Sequence, residues 1–97
     1  MFSNIYIIGK IPDTLSVTVQ KKFADAEKSL ERFNSYIYNP VTSLLEGSLS
    51  REEAIKRNLC GLMNANAVYV LNEVNSGEAN LEVLMAVKLN KLILHEF

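Results

Sequence analysis

Four short apolar runs, separated by segments of helical period, constrain this chain more than any other feature. The first, Ile5-Tyr6-Ile7-Ile8, is β-branched and aromatic and stops at Gly9. A run apolar at every position has no wet face. It predicts a strand covered on both sides, as parallel sheets are. Ser35-Tyr36-Ile37-Tyr38, ended by Asn39-Pro40, predicts the second strand. Ala67-Val68-Tyr69-Val70-Leu71 and Leu92-Ile93-Leu94 predict the third and fourth.

Between the runs the period changes. Val19, Phe23, Ala26, Leu30 and Phe33 step by four and three, which is one face of a helix, and Asp25, Lys28, Ser29 and Arg32 take the wet face. Asn34 is the expected stop. The stretch from Val41 to Leu49 carries little signal and is expected to be a loop. Ser50-Arg51-Glu52-Glu53 has capping-box spacing, so a second helix should follow with Ile55, Leu59, Leu62 and Met63 inward. Asn75 to Glu78 offers another cap, and a third helix should run to about Asn90.

The resulting order is βαβαβαβ, which implies a parallel sheet with right-handed crossovers. The expected fold is α/β: a small doubly wound, flavodoxin-like or Rossmann-like domain over residues 1–97, with a four-stranded parallel sheet in the order 2-1-3-4 and three helices. Such sheets bind ligands outside the carboxyl ends of their strands, at the switch between strands 1 and 3. That rule gathers Gly9 to Asp13, Asn39-Pro40 and Asn72 to Gly77 around one crevice.

Composition narrows the function. An apolar share of 48% with 22% charged residues is ordinary for a folded domain. A net charge of -1 offers no basic stripe for a nucleic-acid polymer. With Cys60 and His95 as the only cysteine and histidine, no disulfide framework or zinc cluster is expected. Neither GxGxxG nor GxxxxGK[ST] occurs, so no cofactor or metal is expected. No apolar run approaches the roughly 20 residues of a membrane span, and the expected location is the cytoplasm. From Ala79 to Leu89 only Asn80, Glu82 and Lys88 are polar. A helix apolar nearly all round is covered on more than one side. The second cover is expected to be another copy of the chain, in a homodimer.

Few residues can carry chemistry. Glu82 lies in the first turns of the apolar helix, beside the expected crevice. It reads either as an anion usable as a nucleophile or as a helix-favouring surface residue. Ser76-Gly77 opens the same helix. It reads either as an anion site for a phosphate or sugar hydroxyl, or as a cap and tight turn. Gly9 either lets a ligand approach the backbone or permits a left-handed turn. Cys60 reads as a small core residue, His95 as a solvent or interface residue, and the four tyrosines as packing residues with hydroxyls at the rim.

The opening Ile5-Tyr6-Ile7-Ile8-Gly9 resembles that of the small DUF4406 proteins, which look like members of the nucleoside 2-deoxyribosyltransferase-like superfamily. Further similarities follow in order: Phe23-x-x-Ala26-Glu27-x-x-Leu30, Asn39-Pro40, Arg57-x-Leu59, Ala67 to Leu71, and Ser76-x-x-Ala79-x-x-Glu82-x-x-x-Ala86. The resemblance implies cleavage or transfer at the N-glycosidic bond of a 2′-deoxynucleoside or its 5′-monophosphate, with Glu82 as nucleophile. Ser76 and Gly77 would hold the sugar or phosphate, and Gly9, Asn39, Pro40 and Asn58 would border the substrate. The chain departs from the pattern where Asp is usual, at Asn58 and Asn66, and where Gly is usual, at Glu78. Asn58 can hydrogen-bond a base but cannot exchange a proton with it near neutral pH. These departures leave open a non-catalytic nucleotide-binding or oligomeric module that retains the fold.

Overall fold

The computed structural model describes residues 4–11, 16–33, 35–45, 50–71 and 77–96. Strands β1 (Asn4–Ile8), β2 (Tyr36–Tyr38), β3 (Ala67–Val70) and β4 (Leu92–His95) form one sheet in the order β2-β1-β3-β4, with every neighbouring pair parallel. The central strands β1 and β3 are the continuously apolar ones, and the half-exposed β2 and β4 take the edges.

Helices α1 (Val17–Leu30), α2 (Pro40–Leu45), α3 (Arg51–Asn64) and α4 (Gly77–Lys88) cover the sheet. Alternation along the strands sorts the core into two layers. Ile5, Ile7, Ala67, Tyr69 and Leu71 pack with Phe23, Ala26 and Leu30 of α1 and Val41 of α2. Tyr6, Ile8, Val68 and Val70 pack on the opposite side with Leu62 and Ala65 at the end of α3 and Ala79 and Ala86 of α4. The fold is thus a small doubly wound α/β sheet, as the alternation of runs implies.

Among the described residues four α-helices stand where three helices were expected, because Pro40–Leu45 is helical rather than part of a loop. Six residues are too few to display a period. The start is nonetheless encoded: proline suits the first helical position, and Asn39 Oδ1 accepts the Val41 N–H at 3.0 Å. The cap expected at Ser50 forms, its Oγ accepting from Glu53 N–H, and Ser16 Oγ caps α1 by accepting from Val19 N–H, each at 3.2 Å. The stops and caps expected at Asn34, Asn75 and Ser76 lie outside the described residues. After α4, Asn90 takes φ 57°, and Lys91 N–H returns to Ala86 O at 2.9 Å, a left-handed helix stop.

Helix α3 is rotated from its expected setting. Leu62 is buried as read, but Ala54 shares its face, while Ile55, Leu59, Met63 and Cys60 are exposed. Its covered side carries Ala54, Asn58, Gly61 and Leu62, with Leu62 in the core on the sheet and Gly61 close against the Tyr38 ring. Cys60 is therefore not a core residue. Within the single chain only one side of α4 is covered: Ala79 and Ala86 are buried, but Leu81, Leu84 and Val87 are each more than half exposed. No described helix is long and apolar enough to cross a membrane.

At the amino edge of the sheet, Asn66 Oδ1 accepts the Asn4 N–H at 3.1 Å, which ties β3 to β1. Lys91 Nζ donates to the carbonyls of Met63 and Ala65, at the end of α3. The last carbonyls of a helix lack partners within it, so this cation completes α3.

Candidate functional site

The site begins with register. Parallel pairing sets Tyr6 of β1 beside Tyr38 of β2, on the same face of the sheet. Adjacent strands lie about 4.8 Å apart, so neighbouring rings stack: their centroids are 5.2 Å apart and their planes 16° from parallel. Each ring carries a hydroxyl to a helix above it. Tyr6 donates to Glu82 Oε2 of α4 at 2.7 Å, and Tyr38 donates to Asn58 Oδ1 of α3 at 2.9 Å.

The Tyr6 ring is buried. Burial first, then the Glu82 charge and its hydrogen bond, then Tyr38, push its hydroxyl far above the ordinary phenol value. Tyr6 therefore keeps its proton and remains a fixed donor to the carboxylate. The 2.7 Å separation is that of a charge-assisted bond.

Between α3 and α4, over β1, lies a cavity of about 300 Å³. Its polar side chains are Tyr6, Asn58 and Glu82, and Ile11, Ile55, Leu59, Leu81 and Met85 form apolar walls. This volume is at the small end for small-molecule sites, and a mostly apolar lining with a few convergent polar groups is their usual composition. Apolar walls suit a planar ring, and the carboxylate gives one anionic point against it.

Three of the sequence candidates meet here: Gly9, Asn58 and Glu82. The reason for Gly9 differs from both readings of the sequence. It has no left-handed φ. A Cβ there would come within 2.7 Å of Leu71 Cδ1 and 2.9 Å of Phe23 Cζ, so glycine lets the core close beneath the cavity floor.

Asn39 and Pro40 are not brought to the cavity. Pro40 is buried as the first residue of α2. Asn39 caps that helix, donates from Nδ2 to Glu27 Oε1 at 3.1 Å, and faces a separate hollow with Tyr36 and Arg57. The loop after β2 turns at once into α2, which carries these residues away. Gly77 is the first residue of α4, and Ser76 lies outside the described residues. Asn66, at the opposite edge, is structural. His95 is exposed at the end of an edge strand. Among the described residues no group of three or more His, Cys, Asp or Glu could hold a metal ion.

Tyr6 and Tyr38 are the site residues that sequence reasoning missed. Their signal was present: a buried tyrosine needs a partner for its hydroxyl, and Tyr6 stands mid-strand in a run with no wet face.

Comparison with known proteins gives a family but supplies no activity. The profile of a domain of unknown function, DUF4406, matches residues 3–95. No curated protein matches the chain.

Proposed function

This chain belongs to the DUF4406 family, and we propose that it acts on a 2′-deoxynucleoside or its 5′-monophosphate, breaking the N-glycosidic bond with Glu82 as nucleophile. The observation that carries this reading is the Glu82 carboxylate at an apolar cavity, fixed by a buried phenol that stays protonated. The order of motifs shared with the nucleoside 2-deoxyribosyltransferase-like superfamily supports it.

The chemistry follows from the two oxygens of Glu82. Oε2 accepts from Tyr6, which sets the plane of the carboxylate. Oε1 attacks the anomeric carbon as the bond to the base nitrogen breaks, and that bonding pair leaves with the base. The ring passes through an oxocarbenium-like transition state, whose positive charge the carboxylate offsets. The released base takes its proton from water, because neither Asn58 nor the high-pKa Tyr6 is a competent acid. Water or a second base then displaces Glu82, giving hydrolysis or transfer. No metal or cofactor enters these steps.

A second copy of the chain fits this reading. Leu81, at the cavity mouth, continues into Leu84 and Val87, an exposed apolar stripe on α4. A homodimer formed on that stripe would shield the cavity from water. We place the protein in the cytoplasm, where a reducing environment suits the exposed Cys60.

The test is release of free base from 2′-deoxynucleosides and their monophosphates. Wild type should release base, and Glu82→Ala and Glu82→Gln should both abolish release with the fold intact. Wild-type turnover in Glu82→Ala would show that the nucleophile is another group. One observation favours a second reading: the cavity holds an amide, Asn58, where a proton-exchanging group would assist the leaving base. If wild type releases no base from any of these substrates, the better reading is a non-catalytic nucleotide-binding or oligomeric module that retains the fold.

A further inference from the structure

We propose that Tyr38 and Asn58 act as a recognition pair that tunes the cavity toward a nucleobase edge bearing two hydrogen-bond acceptors, such as O6 and N7 of a 6-oxopurine. This deepens the nucleoside reading above and rests on it for the class of ligand. Tyr38 would be a positioning residue, and Asn58 the residue that sets specificity.

An unconstrained asparagine has two faces. Its Oδ1 accepts and its Nδ2 donates, which is why asparagine reads the N6/N7 edge of adenine with a matched pair of bonds. Here the amide is not unconstrained. Tyr38 donates its hydroxyl to Oδ1 at 2.9 Å, and the Tyr38 ring is held by its stack on Tyr6 and by contact with Gly61, one turn along α3 from Asn58. With Oδ1 turned to the hydroxyl, the bond draws on the oxygen that an adenine amino group would seek. The Nδ2 hydrogens are what the amide then offers a ligand.

The rest of the cavity does not restore a matched pair for adenine. Tyr6, a donor by chemistry, is already committed to Glu82, the Glu82 carboxylate is the sugar's partner in the reading above, and the other side chains that line the cavity with Asn58 are apolar. A 6-oxopurine presents O6 and N7, two acceptors, to the Nδ2 donors. Adenine presents one acceptor and one donor, so its amino group would face Nδ2 as donor against donor. Oδ1 keeps a second lone pair, so the result is a bias of about tenfold, within the range that paired base contacts give.

Calorimetric titration of the full chain with 2′-deoxyinosine and 2′-deoxyadenosine tests this without requiring turnover. Wild type should bind 2′-deoxyinosine about tenfold more tightly, and 7-deaza-2′-deoxyinosine, which lacks the N7 acceptor, should lose most of that advantage. Tyr38→Phe keeps the ring and removes the hydroxyl, so the two nucleosides should bind within about twofold of each other. Equal affinities in wild type, a preference for 2′-deoxyadenosine, no binding of either nucleoside, or an unchanged preference in a folded Tyr38→Phe would each overturn the proposal. The wild-type and 7-deaza arms decide it should Tyr38→Phe not fold. Base release that depends on Glu82, without base discrimination, would sink this inference and leave the glycosidic reading standing. Discrimination that depends on Tyr38, without base release, would do the reverse.

Discussion

Replacing Gly61 by alanine opposes two effects whose sizes can be compared. Gly61 lies within α3, and alanine is better than glycine inside a helix by about 1 kcal/mol. Taken alone, that change stabilises. The structure places an obstacle there: an added Cβ would stand 2.7 Å from Tyr38 Cδ2 and Cε2 and 2.9 Å from Cζ. Carbon atoms rest about 3.5–4.0 Å apart, so the ring must retreat by roughly 1 Å. Overpacking of this kind costs about 1–3 kcal/mol. Retreat also weakens the stack on Tyr6, worth about 0.5–1.5 kcal/mol, and the bond to Asn58, worth about 1 kcal/mol. These losses exceed the helix gain, so Gly61→Ala should destabilise the wild type by about 1–3 kcal/mol. Urea unfolding of four proteins closes a double-mutant cycle: wild type, Gly61→Ala, Tyr38→Leu and the double variant. With the aromatic ring gone, the same alanine should become neutral or stabilising. If Gly61→Ala stabilises the wild type, or has the same effect in both backgrounds, then Tyr38 is not what excludes a side chain at 61.

Three other outcomes are expected. The folded-state pKa of Tyr6 is raised above its unfolded value, so its contribution is complete below about pH 10 and is lost as pH rises further, by up to about 1.4 kcal/mol per unit; the difference in urea stability between wild type and Tyr6→Phe should therefore narrow between about pH 9 and pH 11, and a constant difference would mean that Tyr6 ionises alike in both states. Lys91→Met removes a cation bonded to two carbonyls at the end of α3 and should cost about 1.5–3 kcal/mol in thermal or urea unfolding, whereas a loss under about 0.5 kcal/mol would leave those carbonyls satisfied by water. Light scattering should give a dimer, and Leu84→Glu on the exposed stripe of α4 should return the chain to monomer without unfolding it; a monomeric wild type would refute the apolar interface.

Local pattern determined the framework of this protein. Runs such as Ile5 to Ile8 state that they are buried on both faces, and Ser50 states where a helix begins, because an unbroken apolar run and helix capping are decided by neighbours in the chain. Glu82 and Asn58 were legible as candidates by their chemistry. What only the tertiary structure decided is what stands beside them. The parallel register of β1 and β2 brings Tyr6 to Tyr38 across 32 positions of sequence, and the crossing of α4 over β1 brings Glu82 to Tyr6 across 76. The rotation of α3, with Gly61 close against the Tyr38 ring, put Asn58 in the cavity and turned Ile55, Leu59, Met63 and Cys60 outward. A sequence period counts apolar positions but does not say which of two adjacent faces meets the sheet. Asn39 and Pro40 show the converse: they read as crevice residues by topology, but local capping chemistry at the start of α2 uses them first.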